Sequence, residues 1–188
     1  ISAESGIRTF RGSDGLWEGH RIEDVATPEG CMNDPALVYK FYNQRRRHLA
    51  DISVQPNAAH LALAALEEEM GDDFLLITQN IDDLHQRAGN QRVLPMHGEL
   101  RRARCQLCVA VNAWLDDFTH EDICPSCGKS GGLRPHVVWF GEMPLFMYEI
   151  QSELMQADVF AAIGTSGNVY PAAGFGALAA RAGAITYE

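Results

Sequence analysis

No apolar run in this 188-residue chain approaches the ~20 residues that a bilayer-spanning helix needs. No basic stretch followed by an apolar core marks a secretory signal. Positive charge is also in short supply: 15 Lys and Arg stand against 25 Asp and Glu, a net charge of −10 with a pI near 5.1. That balance excludes the basic footprint usual in nucleic-acid binding, while an acidic surface suits a lysine-rich peptide. Internal repeats and low-complexity segments are missing. Cysteine is scarce at five residues, and four of them fall into one pattern. What remains is ordinary for a soluble globular protein: 46% hydrophobic and 21% charged residues, enough chain for one full core and a small satellite module. The chain lacks an initiator methionine, and its last residues, Ile185-Thr186-Tyr187-Glu188, read as an unfinished strand. Both ends are expected to be cut from a longer protein.

The four patterned cysteines form two knuckles, Cys105-Gln-Leu-Cys108 and Cys124-Pro-Ser-Cys127, separated by 15 residues. This spacing falls in the range of a tetrahedral zinc site, each tight turn placing two thiolates on one metal. Four cysteine ligands close the coordination sphere, so one structural Zn²⁺ is expected, with no open position for chemistry. Four free thiols or two disulfides are the alternative use of these residues. Paired knuckles without a signal fit a reducing cytosol, and a cytoplasmic protein is expected.

From residue 57 onward the pattern alternates between helix and strand. Asn57 can cap a helix running to about Met70, with Gly71 as its stop. Phe74 to Thr78 is a short continuous apolar run, the signature of a buried parallel strand. A helix from Ile81 to Ala88 and a strand from Val93 to Met96 follow; helix Met147 to Gln156, strand Asp158 to Ile163, helix Ala172 to Ala182 and strand Ala184 to Tyr187 complete the series. The fold class is therefore α/β: a Rossmann-like parallel sheet, residues 1–100 and 134–188, interrupted by a small zinc-ribbon lobe at residues 101–133. Ligands in such sheets lie at the carboxyl ends of the strands.

Several segments there can carry chemistry, each with a plainer reading beside it. Ile1 to Gly12 is a small-residue turn followed by arginines; it suits a pyrophosphate, or is a surface loop. Thr78-Gln79-Asn80-Ile81-Asp82 can hydrogen-bond a carboxamide and ribose hydroxyls, or cap a helix. His97, at a strand end, is a candidate general base or a satisfied structural residue. Gly164-Thr165-Ser166 offers backbone amides and hydroxyls, or is only a tight turn. Val137 to Glu142 is a core strand, or an edge that pairs with an extended peptide. Tyr42 and Arg45, at helical spacing i and i+3, share one face; an arginine run such as Arg45-Arg46-Arg47 otherwise reads as a solvated basic surface.

In this order these pieces resemble the sirtuins, NAD-dependent protein lysine deacylases. The likeness runs nearly end to end, through Ile1 to Arg11, Thr78 to Asp82, His97-Gly98, the four cysteines, Val137 to Gly141 and Gly164 to Ser166. Arg134 to Pro144 and Phe41 to Arg46 are similar to the bacterial class III, CobB-like branch. The resemblance implies NAD as co-substrate and acylated lysine side chains of proteins as partners, the acyl group passing to the nicotinamide ribose with His97 as general base. Nicotinamide, free lysine and O-acyl-ADP-ribose would be released. It also implies cofactor contacts at Ala3, Phe10, Arg11, Trp17, Gln79, Asn80, Ile81, Asp82, Gly164, Thr165 and Ser166. Asn80 and Asp82 would stand on the nicotinamide side. Val137, Trp139 and Phe140 would grip the substrate, and Tyr42 with Arg45 would receive the free carboxylate of succinyl- or malonyl-lysine. No nucleic acid, no membrane and a monomer are expected. Mono-ADP-ribosyl transfer on the same scaffold, or a non-catalytic zinc-ribbon module that only binds nucleotide, are the rival readings.

Overall fold

The fold is described from a computed structural model covering residues 1–8, 16–17 and 19–188. A small hairpin, β1 (Leu16–Trp17) with β2 (His20–Arg21), leads into helices α1 (Ile22–Val25), α2 (Pro28–Asn33) and α3 (Pro35–Leu49). Thr27 and Asp34 start α2 and α3 in the same way. Each side chain accepts the backbone N–H three residues on, and a proline occupies the first helical position, where no N–H is needed. Helix α3 buries Val38, Phe41, Tyr42 and Leu49 in the principal core with Leu84, Leu100 and Trp139. Arg45 and Arg46 are buried too, and only Arg47 of the arginine run faces solvent, so the run is not a solvated surface.

Helix α4 (Ala58–Met70) is capped by Asn57, as its sequence predicts. Strand β3 (Leu76–Thr78), helix α5 (Leu84–Ala88) and strand β4 (Val93–Pro95) follow, and β3 and β4 pair in parallel from Leu76↔Val93 to Thr78↔Pro95. The helix expected from Ile81 begins only at Leu84, because Asp82 turns its carboxylate onto the Leu84 N–H (3.1 Å) and holds residues 81–83 as a loop.

Strand β5 (Gly98–Cys105) is the centre of an antiparallel sheet in the order β6–β5–β7, with β6 at Val111–Ala113 and β7 at Leu133–Val137. It runs from the residue after His97 to the first cysteine, with a shift of register against β7 between Glu99 and Ala103. Gly98 permits this: its φ is +86°, and a Cβ there would sit 2.1 Å from the His136 carbonyl oxygen. The strand predicted over Val137 to Glu142 lies instead upstream and ends at Val137. Residues 138–142 turn because Glu142 folds back, its carboxylate accepting the Trp139 N–H at 2.8 Å and pairing with buried Arg134 at 2.7 Å.

Helix α6 (Met147–Leu154), strand β8 (Val159–Ala161), helix α7 (Phe175–Ala182) and strand β9 (Ile185–Tyr187) complete the chain, β8 and β9 again parallel. Met96, Ile150, Leu154, Phe175 and Ala179 form the core beneath them. The expected helix from Ala172 opens as a 3₁₀ turn, Ala172–Gly174, before α7. The α/β class thus stands as the sequence predicts; among the described residues the parallel strands pair as two separate two-stranded sheets, and β6–β5–β7 between them in the chain is antiparallel. No helix among the described residues is long and apolar enough to cross a membrane.

Candidate active site

Strand β3 delivers Gln79 to Asp82 at its carboxyl end, and β4 delivers His97 beside them. The Gln79 amide donates to the Thr165 hydroxyl at 3.0 Å, joining this loop to the loop after β8. The His97 ring is held at Nδ1, 3.0 Å from the Gln79 carbonyl oxygen. The amino-terminal turn closes the layer: Asn80 Nδ2 donates to Ser2 Oγ at 2.8 Å. Gly164 makes the third side possible, since a Cβ there would lie 2.9 Å from the Ile1 nitrogen and its φ is +64°. Segments distant in sequence therefore converge as predicted, and Gln79, Asn80, Asp82, His97, Gly164 and Thr165 form one continuous layer.

The electrostatics divide two titratable groups of this layer, His97 and Asp82. A carbonyl oxygen only accepts, so His97 carries its proton on Nδ1 and presents a bare Nε2. Burial holds the His97 pKa below its ordinary value, so the ring is neutral at physiological pH, the state of a general base. Asp82 is buried at 7% exposure. Burial raises its pKa, and the Ser2 hydroxyl and the Leu84 N–H oppose that rise.

Other expected positions are less simply placed. Ala3 and Ser166 are exposed, and Ile81 packs toward the principal core. Trp17 stacks edge-on against Phe41 at 4.8 Å, with the acyl-end candidates rather than with Gln79 and Asn80. Phe10 and Arg11 lie outside the described residues. Tyr42 is fully buried and its hydroxyl accepts from Trp139 Nε1 at 2.9 Å. Arg45 stands one turn on, donating to the Phe41 carbonyl at 2.9 Å with its guanidinium 3.2 Å from the Phe41 ring centroid. Val137 and Trp139 are core residues at 4% and 2% exposure, and only Phe140 of that trio is exposed. The N–H groups of Val138, Trp139 and Phe140 already donate to His97 O, Glu142 and Ala26 O, so strand addition onto those donors is closed.

The four knuckle thiols meet at the far end of β5. Strand β5 lies between His97 and Cys105, so the thiols and the His97 ring stand at its opposite ends. Cys105 and Cys127 Sγ atoms are 3.9 Å apart, Cys108 and Cys124 3.8 Å, and all four lie within 4.8 Å of one another. Tetrahedral Zn–S bonds of about 2.3 Å give sulfur separations of about 3.8 Å. A disulfide would need about 2.05 Å. The donor set fits one zinc ion, and each turn is closed by a knuckle hydrogen bond, Val109 N–H to Cys105 O and Gly128 N–H to Cys124 O.

Two residues of this layer were not anticipated. Ser2 is 5% exposed and sits between Asn80 and Asp82, and fully buried His60 approaches it from α4. Their signals were faint: one small polar residue in a small-residue turn, and a histidine at the third position of a helix where glutamate or glutamine is usual.

The Sir2 family model matches residues 1–171. The NAD-dependent protein deacylases of Shigella flexneri and Escherichia coli K12 are each 63% identical over all 188 residues, which span 69% and 67% of their lengths. A Sir2 homologue solved with ADP-ribose superposes with a TM-score of 0.87 at 40% identity, covering 99% of this chain and 74% of the other. A Sir2 homologue–NAD complex gives 0.86 at 41% identity, covering 99% and 72%. With the cysteine tetrad, the neutral His97 and the loops that surround it all in one arrangement, the chain belongs to the Sir2 family.

Proposed function

We propose that this protein is an NAD-dependent protein lysine deacylase with His97 as its general base. The carrying observation is the fixed tautomer of His97, whose bare Nε2 stands in the layer formed by Gln79, Asn80 and Thr165. NAD supplies an activated ribose whose bond to nicotinamide breaks. Asn80 and Asp82 receive the nicotinamide side, and Thr165 and the backbone after β8 receive the adenosine side. His97 Nε2 takes the proton from a ribose hydroxyl as that hydroxyl accepts the acyl group. Its Nδ1–H remains on the Gln79 carbonyl and keeps the ring from turning away. Zinc at Cys105, Cys108, Cys124 and Cys127 holds the small lobe and takes no part in the chemistry. A relative solved with a myristoylated histone peptide, at TM-score 0.67 and 34% identity, supports acylated lysine in proteins as the substrate.

The acyl range we infer includes succinyl- and malonyl-lysine as well as acetyl-lysine. Tyr42 and Arg45 support it, because a phenol in the apolar core and a buried guanidinium three residues on, whose charge acts on that phenol, suit a carboxylate. A monomer in a reducing cytoplasm, where four thiolates persist as metal ligands, is the setting that fits this site. Product analysis by mass spectrometry tests the whole reading. Full-length protein with NAD and an acyl-lysine peptide is expected to yield free lysine, nicotinamide and O-acyl-ADP-ribose. Unchanged peptide, or ADP-ribosylated protein alone, would overturn it.

A further inference from the structure

The two zinc knuckles are the same turn built twice. In the first, the Val109 N–H donates to Cys105 O and the Cys105 N–H to Ala110 O, each at 2.9 Å. In the second, the Gly128 N–H donates to Cys124 O at 2.8 Å and the Cys124 N–H to Lys129 O at 2.9 Å. The residue after the closing cysteine is left-handed in both, with φ of +71° at Gly128 and +58° at Val109. Glycine takes that conformation without strain, whereas a β-branched side chain there crowds the backbone. Among the described residues, Val109 and Phe146 alone have positive φ without being glycine. Packing does not offset the strain, because Val109 is 79% exposed. Nor does lack of space select glycine in the second turn, since a Cβ built at Gly128 has nothing within 4 Å. The two turns thus differ in one backbone preference. The strained one is the end of β5, where Cys105 pairs with Leu133 of β7.

We propose that Val109 makes the first knuckle the release point of the zinc site, a strained turn that lets Cys105 and Cys108 leave the metal before Cys124 and Cys127. The proposal rests on the fit of the four thiols to zinc and not on the deacylase chemistry. Closed on the metal, the first turn must hold valine in the left-handed region. Once its two thiolates let go and take up protons, Val109 returns to the extended or right-handed backbone that valine prefers. The second turn gains nothing comparable on opening. An opened first knuckle also frees the end of the strand that begins beside His97, so metal loss is felt first along β5.

Transfer of zinc from the full-length, metal-loaded protein to an excess of a chromogenic chelator measures the release, and quenched alkylation with mass spectrometry gives its order. In the wild type Cys105 and Cys108 should be alkylated before Cys124 and Cys127. Val109→Gly relieves the strain, and Val109→Asn does so without glycine's added flexibility, because asparagine tolerates the left-handed region. Both should slow zinc transfer about three- to tenfold and level the order of alkylation. Gly128→Val places the same strain in the second knuckle; it should speed transfer and bring Cys124 and Cys127 forward. Should that variant fail to fold, the two Val109 variants still decide. Simultaneous alkylation of all four cysteines in the wild type, earlier release of Cys124 and Cys127, or wild-type transfer rates in the Val109 variants would each overturn the proposal. Protein that takes up no zinc would overturn it together with the metal assignment, and would leave the chemistry at His97 untouched.

Discussion

The zinc lobe and the cofactor layer are built on opposite principles. In the zinc lobe four donors come from two turns 15 residues apart, and each turn is closed by its own backbone hydrogen bonds. In the cofactor layer the donors come from residues 2, 80, 97 and 165, and no two of them share an element. The first is local and depends on one metal. The second exists only when the sheet, the amino-terminal turn and α4 are assembled. Helix α3 touches both lobes. Asn43 bonds the N–H and C=O of Phe118 at 2.8 and 3.0 Å, Tyr39 donates to Leu133 O, and Arg46 donates to the carbonyls of Leu100, Trp114 and Asp116. Tyr42 and Arg45, the immediate neighbours of Asn43 and Arg46, project from the adjoining face of the same helix. A disturbance in the zinc lobe therefore reaches Tyr42 and Arg45 through one rigid element, whereas a change at His97 need not disturb the fold.

Removing a zinc ligand tests the first half of that contrast and should have the largest effect. Structural zinc contributes about 10–16 kcal/mol in small domains, so Cys124→Ala should abolish zinc content and unfold the small lobe. Activity should fall with it, because Arg46 and Asn43 lose the carbonyls they hold. Elemental analysis and circular dichroism check this; a zinc-free protein with normal activity and melting would break the comparison.

His97→Ala probes the other half. Acyl transfer in the full-length enzyme should fall by about 10²–10⁴-fold, the usual contribution of a general base. Melting temperature and zinc content should not move. Loss of stability comparable to the cysteine variant would make His97 structural.

How far each region could be read beforehand follows the same contrast. The cysteine spacing alone defines a tetrahedral site, and the apolar run ending at Thr78 defines a buried strand, because both are encoded within a few residues. Short helices α1 and α2 carry too little apolar periodicity to be seen, and α2 is stabilised chiefly by the Thr27 cap. The run Val137 to Glu142 reads as a strand from its β-branched and aromatic residues. It turns because Glu142 pairs with Arg134, eight residues upstream, a contact that no local pattern reports. Arg45 and Arg46 look like solvated charge until the carbonyls that Arg46 serves, 54 to 70 residues away, are known. Ser2 and His60 are legible only from the assembled layer.

Two buried histidines should behave alike. Burial and nearby arginines, Arg104 first, push His136 at the β5–β7 junction down to about 4, and burial does the same to His60 in the cofactor layer. A histidine whose folded pKa is depressed is fully stabilising above its unfolded value near 6.5. As pH falls from about 6.5 toward 4 the unfolded chain gains the proton first, so stability drops, by about 3 kcal/mol for each group. Denaturant titrations between pH 7 and 4 should show this loss, and His136→Gln should flatten it. A variant with the wild-type slope would remove His136 from the account.

The finest distinction concerns the face of α3 that turns from the zinc lobe and carries Tyr42 and Arg45, the proposed acyl end. Arg45 lies over the Phe41 ring and 4.6 Å from the Trp17 centroid, while its Nη1 donates to the Phe41 carbonyl. Its charge lowers the pKa of Tyr42, which burial otherwise pushes above its ordinary value. The pair is thus electrostatically coupled inside an apolar wall. A succinyl carboxylate placed against it gains a charge-assisted bond of about 1.5–3 kcal/mol that acetyl-lysine cannot make. Arg45→Met preserves the length and apolar packing of the stem and removes the charge. On succinylated peptide kcat/KM should fall on the order of ten- to a hundredfold, and on the acetylated version of the same peptide it should change little. An equal loss on both would mean that Arg45 acts by packing against Phe41 and Trp17 alone. The two faces of α3 would then both be structural, and the enzyme would be a deacetylase without a carboxylate pocket.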